Sequence, residues 1–197
     1  MNRDAPAFAW EFLCDPPRTA SVAPSSAALA RTATSPVPGS GDPVVVELGP
    51  GTGTITEVIR RRLGGRGRQL AIEVSPRLAD RLALRYPDVE VICADATELP
   101  AILLDRVLVA DVVVSGLPWA AFAGAGSPTL LDQLPGCLGG NGALTQLGYA
   151  ATRWAPPARR QLDELCRSFE EVTTSRTIWR NLPPAVIHVA RRPRRDR

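Results

Sequence analysis

Residues 44–54 read Val44-Val45-Val46-Glu47-Leu48-Gly49-Pro50-Gly51-Thr52-Gly53-Thr54. An apolar run of strand length passes straight into three alternating glycines, and a helical pattern follows from Thr54 to Leu63. Glycine lets the backbone turn sharply between strand and helix and leaves room for a ligand to approach the main chain. A dinucleotide fingerprint asks for glycine at the sixth position of G-x-G-x-x-G. Thr54 stands there, and the third glycine comes one residue early, at Gly53. The G-x-G-x-G spacing suits a ligand that lacks a pyrophosphate.

Beyond that turn, strand and helix alternate. Gln69 to Val74 reads as a strand, Pro76 opens a helix to Tyr86, and Val89 to Cys93 and Asp111 to Ser115 read as strands. A helix over Thr129 to Cys137, a strand over Ala143 to Tyr149 and a helix over Pro156 to Arg167 follow. Phe169 to Trp179 and Ala185 to Ala190, joined through Asn181-Leu182-Pro183-Pro184, read as an antiparallel pair. Apolar strands alternating with helices predict an α/β fold with a mostly parallel sheet covered on both faces. In such a sheet ligands bind at the carboxyl ends of the strands. Glu73 ends the second strand twenty residues after Gly53, where an acid can accept both hydroxyls of a ribose. Asp95 follows the third strand, where its carboxylate or the neighbouring backbone can meet an exocyclic adenine amine. Ser115-Gly116-Leu117-Pro118-Trp119 closes the fourth.

Composition bounds the function. The chain has 197 residues, 45% hydrophobic and 22% charged, the balance of one globular domain. No run of eighteen uncharged apolar residues exists, so no spanning helix is expected. Asp4, Glu11 and Asp15 interrupt the apolar start, so no signal peptide is expected either. Cys14, Cys93, Cys137 and Cys166 form no CxxC pair, which argues against a disulfide framework or a cysteine zinc site and for a reduced, cytoplasmic setting. All 23 basic residues are arginine, which excludes Schiff-base lysine chemistry and a P-loop lysine. Arginine clusters at Arg60, Arg61, Arg62, Arg66 and Arg68, and again from Arg191 to Arg197. These read either as solvated surface or as an attraction for anionic groups. The net charge of +3 does not by itself announce a nucleic-acid partner.

Residues 1–42 stand apart. An aromatic segment, Phe8, Trp10 and Phe12, stops at Asp15-Pro16-Pro17, and a second helical candidate covers Ser25 to Arg31 with serine available as its cap. The expected organisation is a helical lid or substrate-access segment over 1–42, a ligand-binding domain over 43–192 and an arginine-rich tail over 193–197.

The glycine loop and the strand-end residues together resemble the class I S-adenosylmethionine-dependent methyltransferases, from residue 44 to about residue 190. The resemblance implies a Rossmann-like, seven-stranded, mostly parallel sheet with a terminal antiparallel strand, and S-adenosylmethionine as cofactor. It places Glu47, Gly49, Pro50, Gly51, Thr52 and Gly53 around the methionine part, Glu73 and Val74 at the ribose, Asp95 and Ala96 at the adenine, and Ser115 beside them. A narrower resemblance, to bacterial phospholipid N-methyltransferases, rests on Phe12-Leu13 through Arg31, on Val114-Ser115-Gly116-Leu117-Pro118, and on Trp179-Arg180-Asn181-Leu182-Pro183-Pro184-Ala185. That family methylates the amine of phosphatidylethanolamine and is related to the ribosomal RNA adenine dimethylases.

Methyl transfer from a sulfonium is an in-line displacement, so the protein's task is to hold donor and acceptor close and collinear. The resemblance assigns that task to Ser115, Gly116, Leu117, Pro118 and Trp119, with Tyr149 at the end of the fifth strand. A base-methylating site usually offers Asn or Asp at the position of Ser115; its absence favours an alkylamine, for which Trp119 is either a wall against the cation or a packing residue. Tyr149 either orients the acceptor or caps the sheet. His188, in a Val-Ile-His-Val strand, reads as structural rather than catalytic. The amino-terminal aromatics suit either a lid or an interfacial helix, and Glu11 and Asp15 weaken the second reading. A soluble small molecule and an RNA adenine stay open as acceptors. So does a non-catalytic methyltransferase-like protein, and no metal is expected.

Overall fold

A computed structural model describes residues 25–117 and 130–194. Ser25 leads to Ser26, whose hydroxyl accepts the Leu29 N–H at 3.1 Å and starts α1, Ala27–Ala33. The valine run forms β1, Val44–Leu48, because β-branched residues pack well on a pleated, buried surface. Gly53 and Gly64, both left-handed at φ 86° and 58°, bracket α2, Thr54–Leu63. Next come β2, Arg68–Glu73, and α3, Pro76–Arg85, which has proline in its first turn. They are followed by β3, Glu90–Cys93, a short 3₁₀ turn at Ala96–Glu98, and α4, Leu99–Asp105. The remainder is β4, Ala110–Ser115; α5, Leu130–Cys137; β5, Leu138–Tyr149; α6, Pro156–Ser168; β6, Phe169–Thr174; and β7, Ala185–Pro193.

The seven strands form one sheet in the order β3-β2-β1-β4-β5-β7-β6. All pairs from β3 to β5 are parallel, and β7 runs antiparallel to both β5 and β6. The Rossmann-like mixed sheet expected from the sequence is therefore present. The reversed strand, last in sequence, lies second from the edge, with β6 outside it.

Strand side chains alternate between two cores. On one face Leu48, Ile72, Val113 and Leu144 pack with Leu103, Leu134, Leu165 and Phe169 from α4, α5, α6 and the start of β6. On the other, Val45, Val112, Leu147 and Ile187 pack with Leu29 of α1 and with Ile55, Ile59 and Leu63 of α2. The amino-terminal segment from residue 25 onward is thus packed against the sheet, while residues 1–24 lie outside the described residues.

Two boundaries differ from the sequence reading by five residues. β5 begins at Leu138 rather than Ala143, and its pairing with β4 steps from Ala110↔Leu138 to Val112↔Ala143. The glycine-rich stretch Gly139 to Gly142 takes up that irregularity. The β-rich run expected to Trp179 ends as a strand at Thr174, and Ile178 meets Ala185 only as an isolated bridge. Among the described residues no helix is long and apolar enough to cross a membrane.

Candidate active site at the carboxyl edge of the sheet

The ends of β1, β2, β3 and β4 lie side by side, as parallel pairing requires. Glu73↔Cys93, Leu48↔Ile72 and Leu48↔Ser115 are register partners. This brings together the glycine loop, Glu73, the start of the Asp95 turn and Ser115.

The three loop glycines have different tasks. A Cβ on Gly49 would stand 2.6 Å from Leu117 Cδ2, and one on Gly53 would stand 2.7 Å from Leu82 and 2.9 Å from Tyr86. Those two positions are filled by the protein itself. Gly51, with φ at +55°, has nothing within 4 Å of the same point, so it is the open floor of the loop. Pro50 is buried, and its carbonyl accepts the Gly53 N–H at 3.0 Å, closing the turn. The exposed Thr52 offers its carbonyl to Arg85 at 3.3 Å.

Two buried carboxylates stand near the carboxyl ends of β1 and β2. Glu73 is buried, and its two oxygens accept the Gly51 and Ser75 N–H groups, each at 3.0 Å. A carboxylate has about four lone-pair sites, so capacity for further donors remains. Val74 beside it presents an exposed apolar side chain. Glu47 is 1% exposed; one oxygen accepts the Thr56 hydroxyl at 2.6 Å and the other, Oε1, has no partner. Burial pushes its carboxyl up to about 8, against the opposing pull of the Thr56 hydrogen bonds.

Asp95 is exposed and occupied with its own turn. Its Oδ1 accepts both the hydroxyl and the N–H of Thr97, which holds its carboxyl below the usual range. Glu98 returns the bond to the Asp95 N–H at 2.9 Å, a reciprocal cap that fixes Ala96 at the start of the 3₁₀ turn.

After β4 the chain is held tightly. The Gly116 N–H donates to the Leu48 carbonyl at 2.9 Å, and a Cβ on Gly116 would stand 3.1 Å from the Gly49 carbonyl oxygen. Ser115 is buried and its hydroxyl accepts the Leu117 N–H at 3.3 Å. Pro118 and Trp119 lie outside the described residues. Tyr149 packs into the core that contains Leu29 and Ile187, on the face of the sheet opposite Ser115. The structure does not bring it together with the β4 motif.

One group was not legible before the registers were known. Ser115↔Gln146, Gln146↔His188 and His188↔Thr174 are successive partners, so a polar row crosses β4, β5, β7 and β6 on one face. Gln146 is fully buried and donates from Nε2 to the Leu117 carbonyl at 2.8 Å, while its Oε1 has no partner. His188 Nδ1 lies 2.8 Å from the Thr174 hydroxyl, and burial holds its ring below the ordinary histidine range. Gly148 makes room for that ring, since a Cβ there would stand 3.1 Å from His188 Nε2. Gln146 was missed because a lone glutamine in an apolar strand carries no signal until its neighbours are known.

An open glycine and a carboxylate with lone pairs to spare beside it suit a ligand that carries hydroxyls. Comparison with known proteins identifies that chemistry. The chain is 34% identical over 188 residues to an ornithine lipid N-methyltransferase from Singulisphaera acidiphila, covering 93% of this chain and 94% of that one. The chain belongs to the class I S-adenosylmethionine-dependent methyltransferases. This methyltransferase also shares its fold with solved structures. Fibrillarin from Aeropyrum pernix, bound to S-adenosylmethionine, superposes with a TM-score of 0.61 at 17% identity, over 78% of this chain and 68% of that one. Precorrin-6y C5,15-methyltransferase from Geobacter metallireducens gives 0.58 at 15% identity, over 83% and 87%. No protein-family model matches the methyltransferase.

Proposed function

We propose that this methyltransferase N-methylates the amine of a lipid head group. The observation that carries the reading is the end-to-end similarity to an ornithine lipid N-methyltransferase, at 34% identity over 93% of the chain. Ser115, standing where base-methylating sites usually have a carboxamide or carboxylate, supports an alkylamine over an aromatic one. Phosphatidylethanolamine and an amino-acid lipid such as ornithine lipid present the same chemistry, a primary amine on a lipid.

S-adenosylmethionine, when bound, supplies a methyl group on a sulfonium centre, already activated for displacement. The residues at the edge fit it. Gly51 leaves main chain open to the methionine part. Glu73 has acceptor capacity for ribose hydroxyls, and Val74 and Ala96 offer apolar surface to the base, with Asp95 at its edge. Ser115, Gly116 and Leu117 line the acceptor side, their backbone fixed by Leu48, Gly49 and Gln146. Backbone carbonyls there orient an amine that has lost its proton to solvent.

The test is transfer of labelled methyl from S-adenosylmethionine to mixed micelles containing phosphatidylethanolamine or ornithine lipid, with product masses read by mass spectrometry. A lipid heavier by one or more methyl groups is the expected result. Confirmed cofactor binding with neither lipid methylated would overturn the proposal in favour of a soluble acceptor.

A further inference from the structure

We propose that the β5–α6 and β6–β7 loops form the face by which the enzyme lies on an anionic lipid bilayer. The inference rests on the lipid-acceptor reading and adds where the lipid is met. β5 ends at Tyr149, whose register partner is Ala185, the first residue of β7, and β6 ends at Thr174 on that same edge. The loops over residues 150–155 and 175–184 therefore emerge at the carboxyl edge of the sheet, the edge that carries the glycine loop and Ser115. The Ala150 N–H donates to the Pro184 carbonyl at 2.9 Å, which stitches the two loops together.

Three large apolar side chains stand out from them. Trp154 is 65% exposed, Trp179 77% and Leu182 74%. Indoles at that exposure are costly in water and favoured at a headgroup boundary, where an amphipathic ring meets both apolar and wet surroundings. The charge around them has one sign. Arg153, Arg176 and Arg180 are exposed in the same two loops, and none makes an ion pair among the described residues. The Arg153 guanidinium lies over the Trp154 ring, 4.5 Å from its centroid, so cation and indole are presented together. Arg159 and Arg160 add charge in the opening turns of α6, and residues 150–162 and 172–185 contain no Asp or Glu. Basic residues beside interfacial aromatics complement an anionic bilayer surface.

A second exposed apolar cluster lacks this complement. Leu104, Val107 and Val109 precede β4, at the opposite edge of the sheet. Asp105 and Asp111 flank them, and Arg106 is committed to Glu90 at 2.6 Å. Its charge does not suit an anionic surface, and it lies far from the site.

The full chain is sedimented with phosphatidylcholine vesicles and with vesicles that also contain phosphatidylglycerol. The wild type is expected to bind the anionic vesicles and to leave the neutral ones. W154A/W179A/L182A and R153Q/R176Q/R180Q are each expected to lose about tenfold or more in vesicle partitioning. Cofactor affinity by calorimetry stays at the wild-type value in both, which shows that they are folded. With a lipid amine in detergent micelles, where docking is bypassed, their methyl transfer is expected within about threefold of the wild type. Variants that partition like the wild type, a wild type that ignores anionic vesicles, or salt-sensitive binding to RNA in place of vesicles would overturn the proposal. A wild type that docks through these residues but methylates no lipid in micelles would instead overturn the acceptor reading and leave the docking face standing.

Discussion

Glu47 and Glu73 lie on neighbouring strands and occupy different chemical settings. Glu73 is met by two backbone N–H groups. Glu47 is buried with one oxygen unpartnered, and its folded value of about 8 lies above the 4.5 of a free glutamate. Between those two values the folded state keeps a proton that the unfolded chain releases, so stability contributed at Glu47 is present at low pH and lost as pH rises toward 8. Glu47→Gln cannot release that proton. Urea unfolding is expected to show the variant gaining on the wild type as pH rises from about 5 to 8. An unchanged difference across that window would show that Glu47 is ionised in the folded protein. Glu73→Ala removes the acceptor assigned to the ribose and the anchor of the Gly51 N–H. Calorimetry should show S-adenosylmethionine binding weakened by about 1–3 kcal/mol; an unaltered affinity removes Glu73 from the cofactor site.

At the scale of elements, the polar row across β4, β5, β7 and β6 supports the chain that leaves β4. Gln146 ties that chain to β5 through its bond to the Leu117 carbonyl, which predicts a positioning role. Gln146→Leu keeps the volume and removes that bond. It is expected to lower kcat by about ten- to a hundredfold while cofactor affinity stays near wild type. A rise in KM alone would assign Gln146 to binding rather than to positioning. The row also shows which parts of the site can be read from sequence. Glu73 and Ser115 end recognisable strands and the glycine loop and Asp95 follow two others, so local pattern alone located these strand ends. Register and the facing of side chains depend on which strands become neighbours, and composition does not encode that. Tyr149 was therefore grouped with the β4 motif although it faces the opposite core. Gln146 was passed over, and His188 was not seen to share a row with Ser115. Gly53 likewise reads as part of a ligand loop, whereas its missing Cβ is needed by Leu82 and Tyr86.

Across the whole molecule, one side chain ties the two ends of the described chain together. Asn181 is buried; its Oδ1 accepts the Ser26 N–H at 2.9 Å, and its Nδ2 donates to the Pro183 carbonyl at 2.8 Å. The start of α1 is thereby fixed to the β6–β7 loop beside the site. Asn181→Ala leaves a helix-start N–H and a carbonyl without partners and is expected to cost about 1–3 kcal/mol in denaturant unfolding. A loss below about 0.5 kcal/mol would mean that solvent replaces both bonds.

The place of β7 in the sheet has a consequence for how the molecule is assembled. β7 follows every other strand in the chain, yet it sits between β5 and β6 and pairs with both. A growing polypeptide that has not passed Ala185 holds two strands whose edges await a partner not yet made, and such edges invite pairing with other chains. The amino-terminal strands can zip as they emerge, but closure waits for the final segment. A nascent chain halted before residue 185 is therefore expected to be protease-sensitive along β5 and β6, and to become resistant only when β7 is supplied.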